Sequence, residues 1–245
     1  MTSTRASPEA DFFGVFGRAF STLDNKLEKD VKVHLKKVYS TLAISLLAAM
    51  VGSGICNFLG LQGFGFLFSL GSIGMAITLA MTPQSSENEN KRLGYLLAFA
   101  ALTGCGLTPM MNYYLQFNPA IVSQAYLITF VVFGCFSLSA LYAENTKYLH
   151  FGGVLGSCLT TLLFVGIFNI FFGSAILSGL LIWGGLAVNC GMIMFDTQLI
   201  CEKRRNGNTD YIWHSVELFL DFINVFRYIL KILGDKESNK KKRSN

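Results

Sequence analysis

Charge is scarce in this chain of 245 residues: Asp, Glu, Lys and Arg make up 14% of it, beside a hydrophobic fraction of 52%. An ordinary soluble domain carries about a quarter of its residues as charged side chains, so a soluble globular enzyme is excluded first. Histidine is rarer still. His34, His150 and His214 are the only three, too few for the histidine-rich constellation of a membrane metallohydrolase, and His214-x-x-Glu217 alone is a weak metal signal. No Ser-His-Asp arrangement and no phosphate-cradling Gly-Lys-Ser/Thr loop occurs. The expectation is a non-enzymatic protein without a cofactor.

Three further absences narrow the class. The six cysteines, Cys56, Cys105, Cys135, Cys158, Cys190 and Cys201, form no Cys-x-x-Cys pair, which leaves no support for a zinc site or a disulfide framework. They read as small buried hydrophobes. No Asn-x-Ser/Thr acceptor marks a glycosylated loop. No cleavable apolar region lies near Met1, so the first apolar segment is expected to act as its own membrane signal.

What the chain does have is apolar length. Segments run from Tyr39 to Leu59, Phe64 to Met81, Leu93 to Tyr114, Ile121 to Ala143, Phe151 to Phe172, Ile176 to Ile200 and Ile212 to Leu233. Each matches the roughly 20 residues that cross a bilayer as a helix. Strands cannot satisfy their backbone singly in lipid, so the fold class is all-α: a polytopic membrane bundle of about seven helices. The division is a segment over 1–38, a bundle over 39–233 and a basic tail over 234–245. Within the first part, Leu23, Leu27, Val31 and Leu35 recur at the spacing of an amphipathic helix lying on the membrane face. Gly152-x-x-x-Gly156 and the glycines before Pro109 suggest close helix packing and a kink.

The net charge of +5 would hint at nucleic acid in a soluble protein, but here the cations sit between apolar segments and describe topology, so the partner is the lipid bilayer and not nucleic acid. Lys91 and Arg92, Lys147, and Lys203, Arg204 and Arg205 fall in alternate connections, which places the N-terminus in the cytosol. The seventh segment breaks this rule, because a simple crossing exports Lys236, Lys240, Lys241, Lys242 and Arg243. It either spans against the rule or re-enters. If cytosolic, the ending Lys242-Arg243-Ser244-Asn245 reads as a dibasic retrieval signal; otherwise it is a solvated basic tail.

Ionisable residues inside apolar segments are confined to the last two. Asp196 lies in the sixth, and Glu217, Asp221 and Arg227 lie in the seventh. Such groups are costly at membrane depth and line water-filled paths or pair with one another. The turn Asn206-Gly207-Asn208-Thr209-Asp210 makes the two helices antiparallel, and Asp196 and Asp221 are equidistant from it. Asp221 lies roughly 16 Å beyond Asp210, the expected N-cap, at about 1.5 Å per residue. His214, Glu217, Asp221, Asn224 and Arg227 continue along one face of the seventh helix, which is therefore expected at the centre of the bundle. A structural hydrogen-bond network is the competing account of this stripe. Two adjacent carboxylates in low dielectric share a proton and titrate as a unit; its loss either separates the helices or attracts a cation. Calcium, held transiently by Asp196 and Asp221 with Asn224, Thr197 and water, is the expected ion.

These residues sit within longer motifs: His34-Leu35-Lys36-Lys37-Val38-Tyr39, Lys91-Arg92-Leu93-Gly94, Leu138-Ser139-Ala140-Leu141-Tyr142-Ala143, Phe195-Asp196-Thr197-Gln198-Leu199-Ile200, Asp210-Tyr211-Ile212-Trp213-His214 and Leu218-Phe219-Leu220-Asp221-Phe222-Ile223. Together they resemble the transmembrane Bax inhibitor motif family over nearly the whole chain. The resemblance implies a seven-helix protein, in animals of the endoplasmic reticulum, that leaks calcium to the cytosol in a pH-dependent way and suppresses cell death. The family's paired aspartates fall on Asp196 and Asp221, an acidic residue is shared at Glu217, and the basic tail matches a cytosolic lysine-rich terminus. Some bacterial members set an arginine of the second helix against the aspartates; Phe64 to Met81 contains no cation, which leaves Arg227 as the intramembrane candidate for a latch. The rival reading is a membrane adaptor that binds death-regulatory membrane proteins and conducts nothing.

Overall fold

The computed structural model describes residues 27–143 and 147–244, with side chains to residue 241. Among these residues there are seven α-helices and no strand: α1 (Lys29–Phe58), α2 (Gly65–Met81), α3 (Glu89–Leu115), α4 (Ile121–Tyr142), α5 (Gly152–Phe172), α6 (Ala175–Arg205) and α7 (Tyr211–Ser244), with single 3-10 turns leading into α2 and α5. The apolar segments thus become helices, most of them within a few residues of the expected bounds. The first six are long and apolar enough to cross a membrane.

α7 is the centre. It packs against α1, α3, α4 and α6, and Leu218, Phe219, Val225, Phe226 and Leu230 are completely buried along it. Aromatic pairs fix its neighbours: Phe219 meets Phe99 of α3 edge-on at 5.4 Å, and Phe226 stacks on Tyr126 of α4 at 4.2 Å. A helix shielded from lipid by four others can carry polar side chains, and this is the physical reason the polar-striped segment occupies the middle.

α1 and α3 approach backbone to backbone. A Cβ on Gly52 would strike the Ala101 carbonyl and one on Gly104 the Ala49 carbonyl, so only glycine permits this contact. α3 runs helically through Pro109, whose ring packs against Gly65 of α2. α5 is the opposite case. None of its residues is buried, and Phe164, Phe168, Ile170, Phe171 and Phe172 stand exposed, as expected of surface that faces acyl chains.

One feature departs from the sequence reading, and a second narrows a choice it left open. Val31 and Leu35 do not belong to a separate surface helix: they lie in the first turns of α1, which continues unbroken into the apolar segment, and they are 1% and 6% exposed within the core. Leu23 lies outside the described residues. The seventh segment does not fold back on itself. α7 is one continuous helix, and Asp235 near its far end accepts a hydrogen bond from Tyr114 Oη at 3.0 Å, at the end of α3 remote from the α6–α7 turn.

Candidate functional site

The α6–α7 turn is built by local chemistry. Asn208 and Gly207 close α6 by donating to the Lys203 and Arg204 carbonyls, with Gly207 at φ 90°, a left-handed conformation that glycine adopts freely. Asp210 then caps α7, its Oδ1 accepting from Trp213 N at 3.0 Å. The same carboxylate takes a two-pronged pair from Arg92 of α3, at 2.9 Å from Nη1 and 2.6 Å from Nη2. Tyr211 Oη donates to Glu89 at 2.6 Å. The start of α7 is thereby clamped to the start of α3.

One turn further, His214 is 1% exposed rather than lying at a solvated edge. Its Nδ1 is 2.8 Å from Nε2 of His34 in α1, the rings meeting edge-on. Ser215 Oγ donates to the Val38 carbonyl at 3.0 Å. Glu217 follows, its Oε1 accepting from Lys203 Nζ at 2.7 Å, which anchors α7 back to α6.

Asp196 and Asp221 come next, 9% and 5% exposed. They face each other across the α6–α7 interface, each close enough to feel the other's charge, with Glu217 near enough to add its own. Oδ2 of Asp221 is buried without a hydrogen-bond partner. The adjacent Thr197 is fully buried, and Gln198 ties α6 outward, donating to the Ala140 carbonyl at 3.2 Å and accepting from Tyr148 N at 2.7 Å. Asn224 is half-buried and Arg227 exposed. Six residues on a helix place Arg227 about 120° around the axis from Asp221, so it does not stand as a latch over the pair. Among the described residues no three His, Cys, Asp or Glu side chains gather to hold a metal ion. The side chains of Lys242 and Arg243 lie outside the described residues.

Antiparallel register and the polar stripe suffice to bring Asp196 and Asp221 together. The His34–His214 and Arg92–Asp210 pairs are invisible to pattern alone, because each joins segments whose packing no local spacing reveals, whereas Lys203–Glu217 follows the same hairpin register and needs only that its ends be matched. The only signal of the first two pairs is membership of polar motifs that charge alternation assigns to the same side of the bundle.

An all-helical membrane protein whose central helix carries half of a buried carboxylate pair is the class these features define. The family model described as Inhibitor of apoptosis-promoting Bax1 matches residues 31–238, and the chain belongs to that family. It is similar to the probable Bax inhibitor 1 of Paralichthys olivaceus, 47% identical over 218 residues that cover 89% of this chain and 92% of the relative. To Bax inhibitor 1 of Homo sapiens it is 46% identical over 209 residues, 85% of this chain and 88% of the relative. The likeness extends to Bax inhibitor 1 of Oryza sativa subsp. japonica, at 35% identity over 234 residues, 93% and 92% of the two chains.

Proposed function

We propose that this protein sits in the endoplasmic-reticulum membrane with its N-terminus in the cytosol, lets calcium leak to the cytosol in a pH-dependent way, and by lowering reticular calcium restrains apoptosis. The observation that carries the reading is the face-to-face burial of Asp196 and Asp221, one on the central helix and one on its antiparallel neighbour. A proton shared by the pair joins α6 to α7; removing it leaves two like charges in low dielectric, which part or admit a divalent cation. Glu217, neutralised by Lys203, acts as the next acidic step toward the turn. Restraint of cell death is supported by the names of the similar proteins, and binding of death-regulatory membrane proteins would accompany it.

The test is calcium efflux from proteoliposomes, compared across about pH 5 to 8 because coupled carboxylates respond to pH as a unit, for wild type, Asp196→Asn, Asp221→Asn and the double variant. Flux that varies with pH in wild type and loses that variation in each single variant supports the reading. A wild type that conducts no more than empty liposomes at every pH overturns the leak and turns attention to an adaptor that works through partner binding.

A further inference from the structure

Two helices end and a third begins around a cavity on the face of the bundle opposite the α6–α7 turn. α1 stops at Phe58 and α3 at Leu115, α4 starts at Ile121, and among them lies a space of about 240 Å³. Asn57 and Asn112 stand at its outer rim, joined by a hydrogen bond from Asn112 Nδ2 to Asn57 Oδ1 at 2.9 Å. One turn deeper Thr108 Oγ1 donates to Ser53 Oγ at 3.2 Å, and both residues are buried. Val122 lies on the wall nearer that face, and Tyr126, one turn further in, closes the inner end. The Tyr126 ring stacks on Phe226 of α7, which is completely buried.

The lining decides what such a space accepts. No charged side chain borders it, while Ser53, Asn57, Thr108 and Asn112 border it with hydroxyls and amides. Calcium takes about six to eight oxygen ligands; neutral oxygens and water supply them together, with no carboxylate to hold the ion in place. A lining of this kind admits a hydrated cation and lets it go, which suits an entrance and not a storage site.

Position assigns the stack its part. Phe226 lies about 7.5 Å further along α7 than Asp221, so the Tyr126–Phe226 pair falls between the cavity and the carboxylates. Phe133, edge-on to Phe222 at 5.5 Å, continues the aromatic contact of α4 with α7 at the level of Asp221. An ion that meets a wall of rings must shed its water with nothing to replace it, the basis on which apolar constrictions close a pore.

We infer that the α1–α3–α4 cavity is the entrance by which calcium reaches the carboxylate pair from the face opposite the turn, and that the Tyr126–Phe226 stack is the barrier that closes it. The identity of the ion rests on the calcium reading above; the entrance and its barrier can be read without calcium.

The test uses the full chain, cysteine-free and in sealed, oriented vesicles, with a cationic, membrane-impermeant methanethiosulfonate. Asn112→Cys at the rim should react from the face opposite the turn. Thr129→Cys, at a completely buried position one turn past Tyr126 on the carboxylate side, should stay silent while Tyr126 is present and react in Tyr126→Ala. Leu127→Ala, at an exposed neighbouring position of α4, should leave Thr129→Cys silent. Phe226→Leu, which trims the buried ring and keeps the site apolar, gives the same readout where Tyr126→Ala does not fold. An Asn112→Cys that reacts only from the turn side, or from neither, overturns the entrance. A Thr129→Cys that reacts with the stack intact, or stays silent in both stack variants, overturns the barrier. In the efflux assay Tyr126→Ala should raise calcium flux several-fold over a conducting wild type, and flux no higher than wild type overturns the barrier as well. A wild type that conducts nothing sinks the leak, and the labelling pattern still decides whether the cavity opens to that face and is closed by the stack.

Discussion

At the scale of single residues, Arg92 and Asp210 hold the site in register. Both are nearly buried, at side-chain exposures of 6% and 15%, and the guanidinium fork matches the carboxylate in a way an ammonium cannot. Breaking a buried pair from one side leaves a charge uncompensated, which costs about 3–5 kcal/mol. Asp210→Asn keeps the cap on α7 but strands Arg92, so thermal unfolding in detergent should shift down by several degrees. The double variant Arg92→Met, Asp210→Asn should recover much of that loss, and a double variant no better than the single would show that the two side chains are not coupled. Sequence alone makes Arg92 a topology determinant, since a cation beside an apolar segment is explained by the membrane surface before any partner is known. The partner lies 118 residues away, and only packing of α3 on α7 reveals it.

Elements follow from pattern more directly. The long apolar runs become helices because the backbone has no other way to satisfy itself in lipid, but several helices run past them: α6 continues to Arg205 and α7 to Ser244 through polar residues. The other end of the chain is instructive: α1 starts at Lys29, well before its apolar run, because Val31 and Leu35 reach the core, while Asp30 and Glu28 lie 3.9 and 3.5 Å from Arg204 and Arg205 at the end of α6. Those exposed pairs contribute little by themselves; buried apolar area decides the boundary. The α1–α3 contact sets the next prediction. Gly104→Val has no room against the Ala49 carbonyl and should destabilise the fold by about 1–3 kcal/mol or more, as overpacking does, whereas Gly153→Ala on α5, with nothing near its Cβ, should be neutral or mildly stabilising. Equal melting temperatures for the two would contradict the close α1–α3 packing.

For the whole molecule, topology turns on α7. At about 1.5 Å per residue its 34 residues extend some 51 Å, enough to run from the Asp210 end of the bundle past the opposite end, where Lys241 Nζ reaches the Gln116 carbonyl at 3.5 Å. The loop at Asn208 and the tail at Ser244 should therefore label from opposite sides. In a cysteine-free background with sealed, oriented vesicles, a membrane-impermeant maleimide should modify Asn208→Cys and Ser244→Cys from different faces. Labelling of both from one face would require a path that leaves and returns, and would restore the dibasic retrieval reading of Lys242 and Arg243. Charge counting leaves this point open because the rule weighs loops, and it has no term for a helix whose burial is satisfied by protein instead of lipid.

The bundle is also uneven in how firmly its parts are held. α1 and α3 touch through their backbones, α7 is enclosed on four sides, and α5 has no buried residue and packs chiefly on α6. Cohesion in this protein is graded, from a centre whose removal would dismantle everything to a flank that the surrounding lipid supports almost as well as the protein does. Under a pulling force, or during insertion as the helices emerge in turn, α5 would be the last to be committed and the first to be given up, and the carboxylate hairpin beside it would keep its shape while that exchange took place.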